Sequence, residues 1–148
     1  MRIIKVLAAY VVSVVVTYAA ATVFYTQQIL AKQAAIGAVY TPAQQAETYL
    51  ANFTGLTIYG AVIAVALLVA FVVAAILKRI LKPLAPIAYP LAGAAGVAAT
   101  ILLIENTAAA GGAGAIGGAR DALGFGLQCV AGGIGGLVFA WIAGGGRR

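Results

Sequence analysis

Histidine is absent from this 148-residue chain, methionine and cysteine occur once each, and Asp and Glu together number three. Those absences remove whole classes of chemistry. With no histidine and Met1 as the only methionine, the usual haem ligands are missing, and a lone cysteine supplies no iron–sulfur set. Zinc sites built from histidine and cysteine fail for the same reason. Neither a Ser-His nor a Cys-His pair can form, so the common nucleophilic triads are excluded. Cys129 has no partner for an internal disulfide. Lying inside an apolar run, it reads as a packed or lipid-facing thiol. Gly111-Gly112-Ala113-Gly114 has the look of a phosphate loop but lacks the following Lys-Ser or Lys-Thr, so it reads as a flexible linker. These absences point to a protein that is not an enzyme and carries no cofactor or metal.

Charge is equally scarce. Only 8% of residues are charged and 64% are hydrophobic, with a mean hydropathy of +1.09, whereas a soluble domain carries about 25% charged residues. So little polar material cannot cover a water-facing surface, and lipid is the expected solvent. The net charge of +6 would suggest a nucleic-acid partner in a soluble protein. Here the cations sit at the ends of apolar runs, which makes them topology signals, and no nucleic acid is expected.

What is present organises into four apolar runs. Val6–Tyr25 is uncharged and, at about twenty residues, long enough to cross a hydrocarbon core of about 30 Å. A cleaved signal peptide is the rival reading, given Arg2, Lys5 and the small residues Ala19-Ala20-Ala21. The run outlasts the usual apolar segment of such a peptide, so retention is expected. Leu56–Leu77 is the cleanest span, with neither charge nor proline. Ile87–Ile104 is shorter and small-residue-rich, with Pro90 near its start and Ala92, Gly96 and Thr100 spaced every fourth position. The last span, 122–143, holds Gly132 and Gly136 as a GxxxG pair, and Phe139 and Trp141 suit an interfacial belt at its end. The expected fold is therefore all-α, a polytopic bundle of four transmembrane helices. Its tightest seam is expected between the third and fourth helices, where Gly93, Gly96, Gly132 and Gly136 permit close backbone approach.

Two long connections remain. Within 26–55, Thr41-Pro42-Ala43-Gln44 forms a capping-box pattern ahead of Ala46, Tyr49, Leu50 and Phe53 at helical spacing. A short outer interfacial helix over about 42–53 follows, with partner binding or gating as its functional alternative. Asn52-Phe53-Thr54 matches a glycosylation sequon, but so close to a span modification is not expected. The 105–121 segment is dominated by alanine and glycine. It reads as a flexible loop, with a re-entrant course as the alternative.

Orientation follows from Lys78-Arg79-Ile80-Leu81-Lys82-Pro83, the basic part of the short link 78–86. Place it in the cytoplasm, and Arg2, Lys5, Lys78, Arg79, Lys82, Arg147 and Arg148 all fall inside. Of the nine cations only Lys32 and Arg120 remain outside. Such an asymmetry is the positive-inside signature, and it puts both termini in the cytoplasm. A bacterial inner membrane is the expected location.

A transporter is expected to hold an ionisable residue within a span, and none of the four does. The interior polar candidates are Ser13, Thr17, Thr100 and Gln128. Gln128 is the strongest, as helix glue or as a substrate ligand. Glu105 and Asp121 flank one loop but read as solvated charges at helix ends. The sequence thus points to a packing or accessory subunit, as a homo-oligomer or docked on other membrane subunits and lipid. The alternative is a small homo-oligomeric channel or carrier using Gln128, Glu105 and the glycine loop.

Overall fold

The computed structural model describes residues 2–106, 119 and 121–144. Among these the chain is all helical: α1 (Arg2–Ala35), α2 (Pro42–Gly55), α3 (Thr57–Ile80), a short 3-10 turn at Lys82–Leu84, α4 (Ala88–Asn106) and α5 (Ala122–Gly144). Helix is the form lipid demands, because it satisfies every backbone amide within its own segment. Four of the five helices, α1, α3, α4 and α5, are long and apolar enough to cross a membrane. The fold is a four-helix membrane bundle with a short fifth helix at one end.

Local chemistry sets the helix ends. α1 runs 34 residues, about 50 Å at 1.5 Å per residue, well beyond a core of about 30 Å. The sequence reading ended this span at Tyr25 and put a loop after it; the helix instead continues through Lys32 to Ala35. It stops in a Schellman cap. Gly37 adopts φ 91°, its N–H donates to the Ala34 carbonyl, and the Ala38 N–H donates to the Gln33 carbonyl. α2 begins at the predicted capping box. The Gln44 N–H donates to Thr41 Oγ1 at 3.3 Å, and the Thr41 N–H donates to Gln44 Oε1 at 2.9 Å. α3 carries Lys78 and Arg79 in its last turn, where cations complement the helix dipole. Those two residues are therefore helical and not part of a loop, and the turn proper starts at Leu81. Asp121 caps α5, its Oδ1 accepting the Gly124 N–H at 3.0 Å.

The spanning helices alternate in direction. Tyr10 of α1 lies level with Ala64 of α3, Ser13 with Gly135 of α5, and Gly93 of α4 with Gly132 of α5. α5 packs between α1 and α4, most extensively on α4; α3 packs on α4 and more lightly on α1. The starts of α1 and α4 and the ends of α3 and α5 thus share one end of the bundle, here called the basic end after Lys5, Lys78, Arg79 and Lys82. The core is a ladder from α3, Tyr59, Ile63, Leu67 and Phe71, closed by Val97 and Ile101 of α4 and Ala131 and Phe139 of α5. At the basic end Phe71, Tyr89 and Phe139 form an aromatic cluster. Phe71 and Phe139 stack at 4.5 Å, and Tyr89 meets Phe139 edge-on at 4.8 Å. Large apolar side chains elsewhere point outward, as lipid requires.

Candidate functional site

Two features concentrate unusual geometry: the backbone seams around α5, and a buried amide between α1, α3 and α5. At the α4–α5 seam the backbones touch. A β-carbon on Gly93 would strike the Gly132 carbonyl, one on Gly132 would strike the Gly93 carbonyl, and one on Gly136 would meet Pro90 Cα at 2.7 Å. Only glycine fits at these three positions. Gly96 is turned elsewhere. Its nearest neighbours are Ala70 Cβ at 2.9 Å and the Ala66 carbonyl at 3.3 Å, so it serves α3–α4 contact and not the seam with α5.

A second seam, between α1 and α5, is built from Ala9, Ser13, Thr17 and Ala21, all fully buried at every fourth residue. Ser13 Oγ donates to the Gly135 carbonyl at 2.6 Å. A β-carbon on Gly135 would land on Thr17 Oγ1, so a Cα hydrogen of Gly135 aims at that oxygen. This is a weak Cα–H···O contact. It accounts for a hydroxyl that is otherwise buried without a partner; Thr22 Oγ1 shares that condition.

Gln128 lies toward the α2 end and is fully buried. Its Oε1 accepts from Tyr59 OH at 2.9 Å, and its Nε2 donates to the Ala21 carbonyl at 3.0 Å. One side chain therefore ties α5 to α3 and α1 together. Above it the polar contacts continue. Thr26 Oγ1 donates to the Thr22 carbonyl at 2.8 Å and accepts from Asn52 Nδ2 at 3.0 Å, which fastens α2 to α1. Tyr18 OH donates to the Phe53 carbonyl, and the two rings lie 5.1 Å apart. Asn52 is thus engaged in a helix contact.

The remaining candidates stand apart. Glu105 lies in the last turn of α4, at the end opposite the basic cluster. Asp121 is 3.4 Å from Lys32 of α1, so the long first helix reaches the start of the last. The Gly124 amide and, next, the Lys32 ammonium hold the Asp121 carboxyl below its ordinary range. The proposed loop course between Glu105 and Asp121, re-entrant or not, lies mostly outside the described residues. So do Arg120, Arg147, Arg148 and the side chain of Arg2. Lys78 Nζ donates to Tyr89 OH at 2.8 Å and sits 4.6 Å from that ring's centre; Arg79 and Lys82 are exposed. Cys129 is half-buried, and no group of three metal-ligating side chains exists among the described residues.

Sequence reasoning missed the α1–α5 seam and the Tyr59–Gln128 pair. A signal for the first was present in the four-residue spacing of Ala9, Ser13, Thr17 and Ala21. No family model, curated protein or solved structure matches this chain.

Proposed function

We propose that this chain is a non-enzymatic integral protein of the inner membrane, with both termini cytoplasmic, acting as an accessory or packing subunit in a homo-oligomer or a larger complex. The observation that carries this reading is Gln128. Its amide, fully buried toward the α2 end of the bundle, is bonded to both neighbouring helices, α3 through Tyr59 and α1 through Ala21. Its full burial leaves neither arm open to a ligand. The close α4–α5 and α1–α5 seams support the same reading, because the interior is filled by backbone and side chains. The sidedness rests on the cation asymmetry.

The test is the mass of the particle extracted gently from its native membrane, with co-purifying chains identified. The expected particle contains several 14.8 kDa chains or other membrane proteins. A monomer without protein partners, in the absence of any dissociating treatment, would overturn the reading. One observation favours a channel or carrier instead: Ser13, Thr17, Thr22 and Thr26 form a buried hydroxyl row along α1, two of them without conventional partners. That second reading expects solute or ion flux in liposomes that Thr17→Val abolishes with the particle mass unchanged.

A further inference from the structure

A long apolar groove runs outside the bundle between α3 and α4, independent of the seams described above. Its volume is about 740 Å³, within the range of built ligand sites. Ala66, Ala70, Ala92 and Gly96 form its shallow floor, and Val69 and Leu91 stand among the walls. The floor is low because Gly96 lets α4 approach Ala66 and Ala70. Along α4 the lining extends from Ala88 to Ile104, about 24 Å of rise. The groove therefore accommodates an extended hydrocarbon chain from one leaflet, which reaches about half of a 30 Å core.

The two ends of this groove differ in charge. At the basic end Lys78 is part of the lining, as are Leu81 and Leu84, which flank Lys82 in the short turn. Lys78 uses one N–H on Tyr89 OH, which holds the ammonium at the groove mouth and leaves two donors. All three acids of the chain, Glu47, Glu105 and Asp121, belong to the opposite end. Among the described residues no carboxylate side chain lies at the basic end. A second copy in the same orientation would bring its own Lys78, Arg79 and Lys82 to the same level, so like charge would face like charge. An anionic headgroup complements the cluster instead, since basic residues at a membrane surface attract anionic lipid.

We infer that the α3–α4 groove is a binding site for an anionic phospholipid, with its phosphate on Lys78 and Lys82 and an acyl chain along the alanine-lined floor.

The experiment uses the full chain in detergent, with phosphatidylglycerol and phosphatidylcholine of matched chains as probes, read by native mass spectrometry and thermal stability. Phosphatidylglycerol is expected to remain bound at concentrations at least about tenfold lower than phosphatidylcholine. The Lys78→Gln, Lys82→Gln double variant should erase that preference. Ala95→Leu fills the groove from an exposed position and should weaken both lipids while leaving the lipid-free melting temperature near that of the parent. Equal retention of the two lipids by the parent chain would overturn the inference. So would undiminished phosphatidylglycerol binding by Ala95→Leu, or a second protein chain cross-linking to residue 95 as a cysteine variant in place of lipid.

Discussion

Replacing Gly132 with alanine should destabilise the bundle, whereas the same change at Gly126 in the same helix should not. Nothing lies within 4 Å of a β-carbon at Gly126, so only the helix-propensity gain of alanine operates there, at most about 1 kcal/mol. At Gly132 the new carbon would overlap the Gly93 carbonyl, approach Gly93 C at 2.8 Å and reach Val97 Cγ2 at 2.7 Å. Two of those neighbours are backbone atoms and cannot rotate away. Relief requires α4 and α5 to separate by on the order of 1 Å, and such a gap forfeits a quarter to a half of each contact's attraction. Several tens of atom pairs at about 0.1–0.2 kcal/mol each then lose about 2 kcal/mol. That agrees with the 1–3 kcal/mol typical of overpacking. Gly136→Ala should cost a similar amount, since it meets Tyr89 C at 2.6 Å. The pair should cost less than the sum, because one displacement relieves both clashes. Reversible unfolding in mixed micelles, followed by circular dichroism, measures all four variants. Gly132→Ala matching the parent chain, or Gly126→Ala costing as much as Gly132→Ala, would refute the reasoning.

Three further outcomes follow from the polar contacts. Tyr59→Phe removes one hydrogen bond of Gln128 while leaving its amide on Ala21, and should cost about 1 kcal/mol; a cycle with Gln128→Leu should return a coupling of that size. Thr22→Val should be neutral or stabilising by up to about 1 kcal/mol, since the buried hydroxyl it replaces has no partner to lose; a cost above that in the same unfolding assay would mean that Thr22 has a partner. Asp121, lowered first by the Gly124 amide and then by Lys32, contributes stability that is present above its unfolded value near pH 4 and lost as pH falls through the lower folded value. The parent chain and Asp121→Asn should therefore differ at neutral pH and converge in acid, as followed by hydrogen exchange of the first turn of α5.

Much of this fold was legible because a membrane enforces crude, readable rules. Four apolar runs gave four spanning helices, and Thr41 with Gln44 announced the start of α2. The length of α1 was not read, although Gly37 followed by Pro42 is an ordinary helix-stop signal. The polar residues Gln27, Gln28, Lys32 and Gln33 looked like a loop because they leave the hydrocarbon. Rotational setting was harder to read. In lipid, apolar side chains face both inward and outward, so hydrophobicity cannot say which face of α1 meets α5. Only residue size carries that information, and Ala9, Ser13, Thr17 and Ala21 carry it quietly. Gly96 shows the same limit: its smallness was legible, but the helix it serves, α3, was not. The Tyr59–Gln128 bond joins residues from separate spans and depends on the rotation of both helices.

The glycines of α5 also decide where any assembly surface lies. A GxxxG pair is commonly a dimerisation face, and Gly132 with Gly136 fits that description. Both are consumed within the chain by Gly93, Tyr89 and Pro90 of α4, while Gly135 is consumed by Thr17 of α1. Neither that pair nor Gly135 is free for a second copy, so substitutions at these three positions should perturb the fold before they perturb assembly. Outward stripes remain, and α1 offers one in Leu7, Val11 and Val15, exposed by 58%, 57% and 57% at every fourth residue. If the chain assembles through α1, Val11→Trp should lower the particle mass while leaving monomer unfolding close to that of the parent. Gly132→Ala should do the reverse, lowering stability at constant mass. An unchanged mass for Val11→Trp would move the contact to another face. A mass change for Gly132→Ala at a temperature where its helices remain folded would show that the α4–α5 seam reaches beyond the single chain.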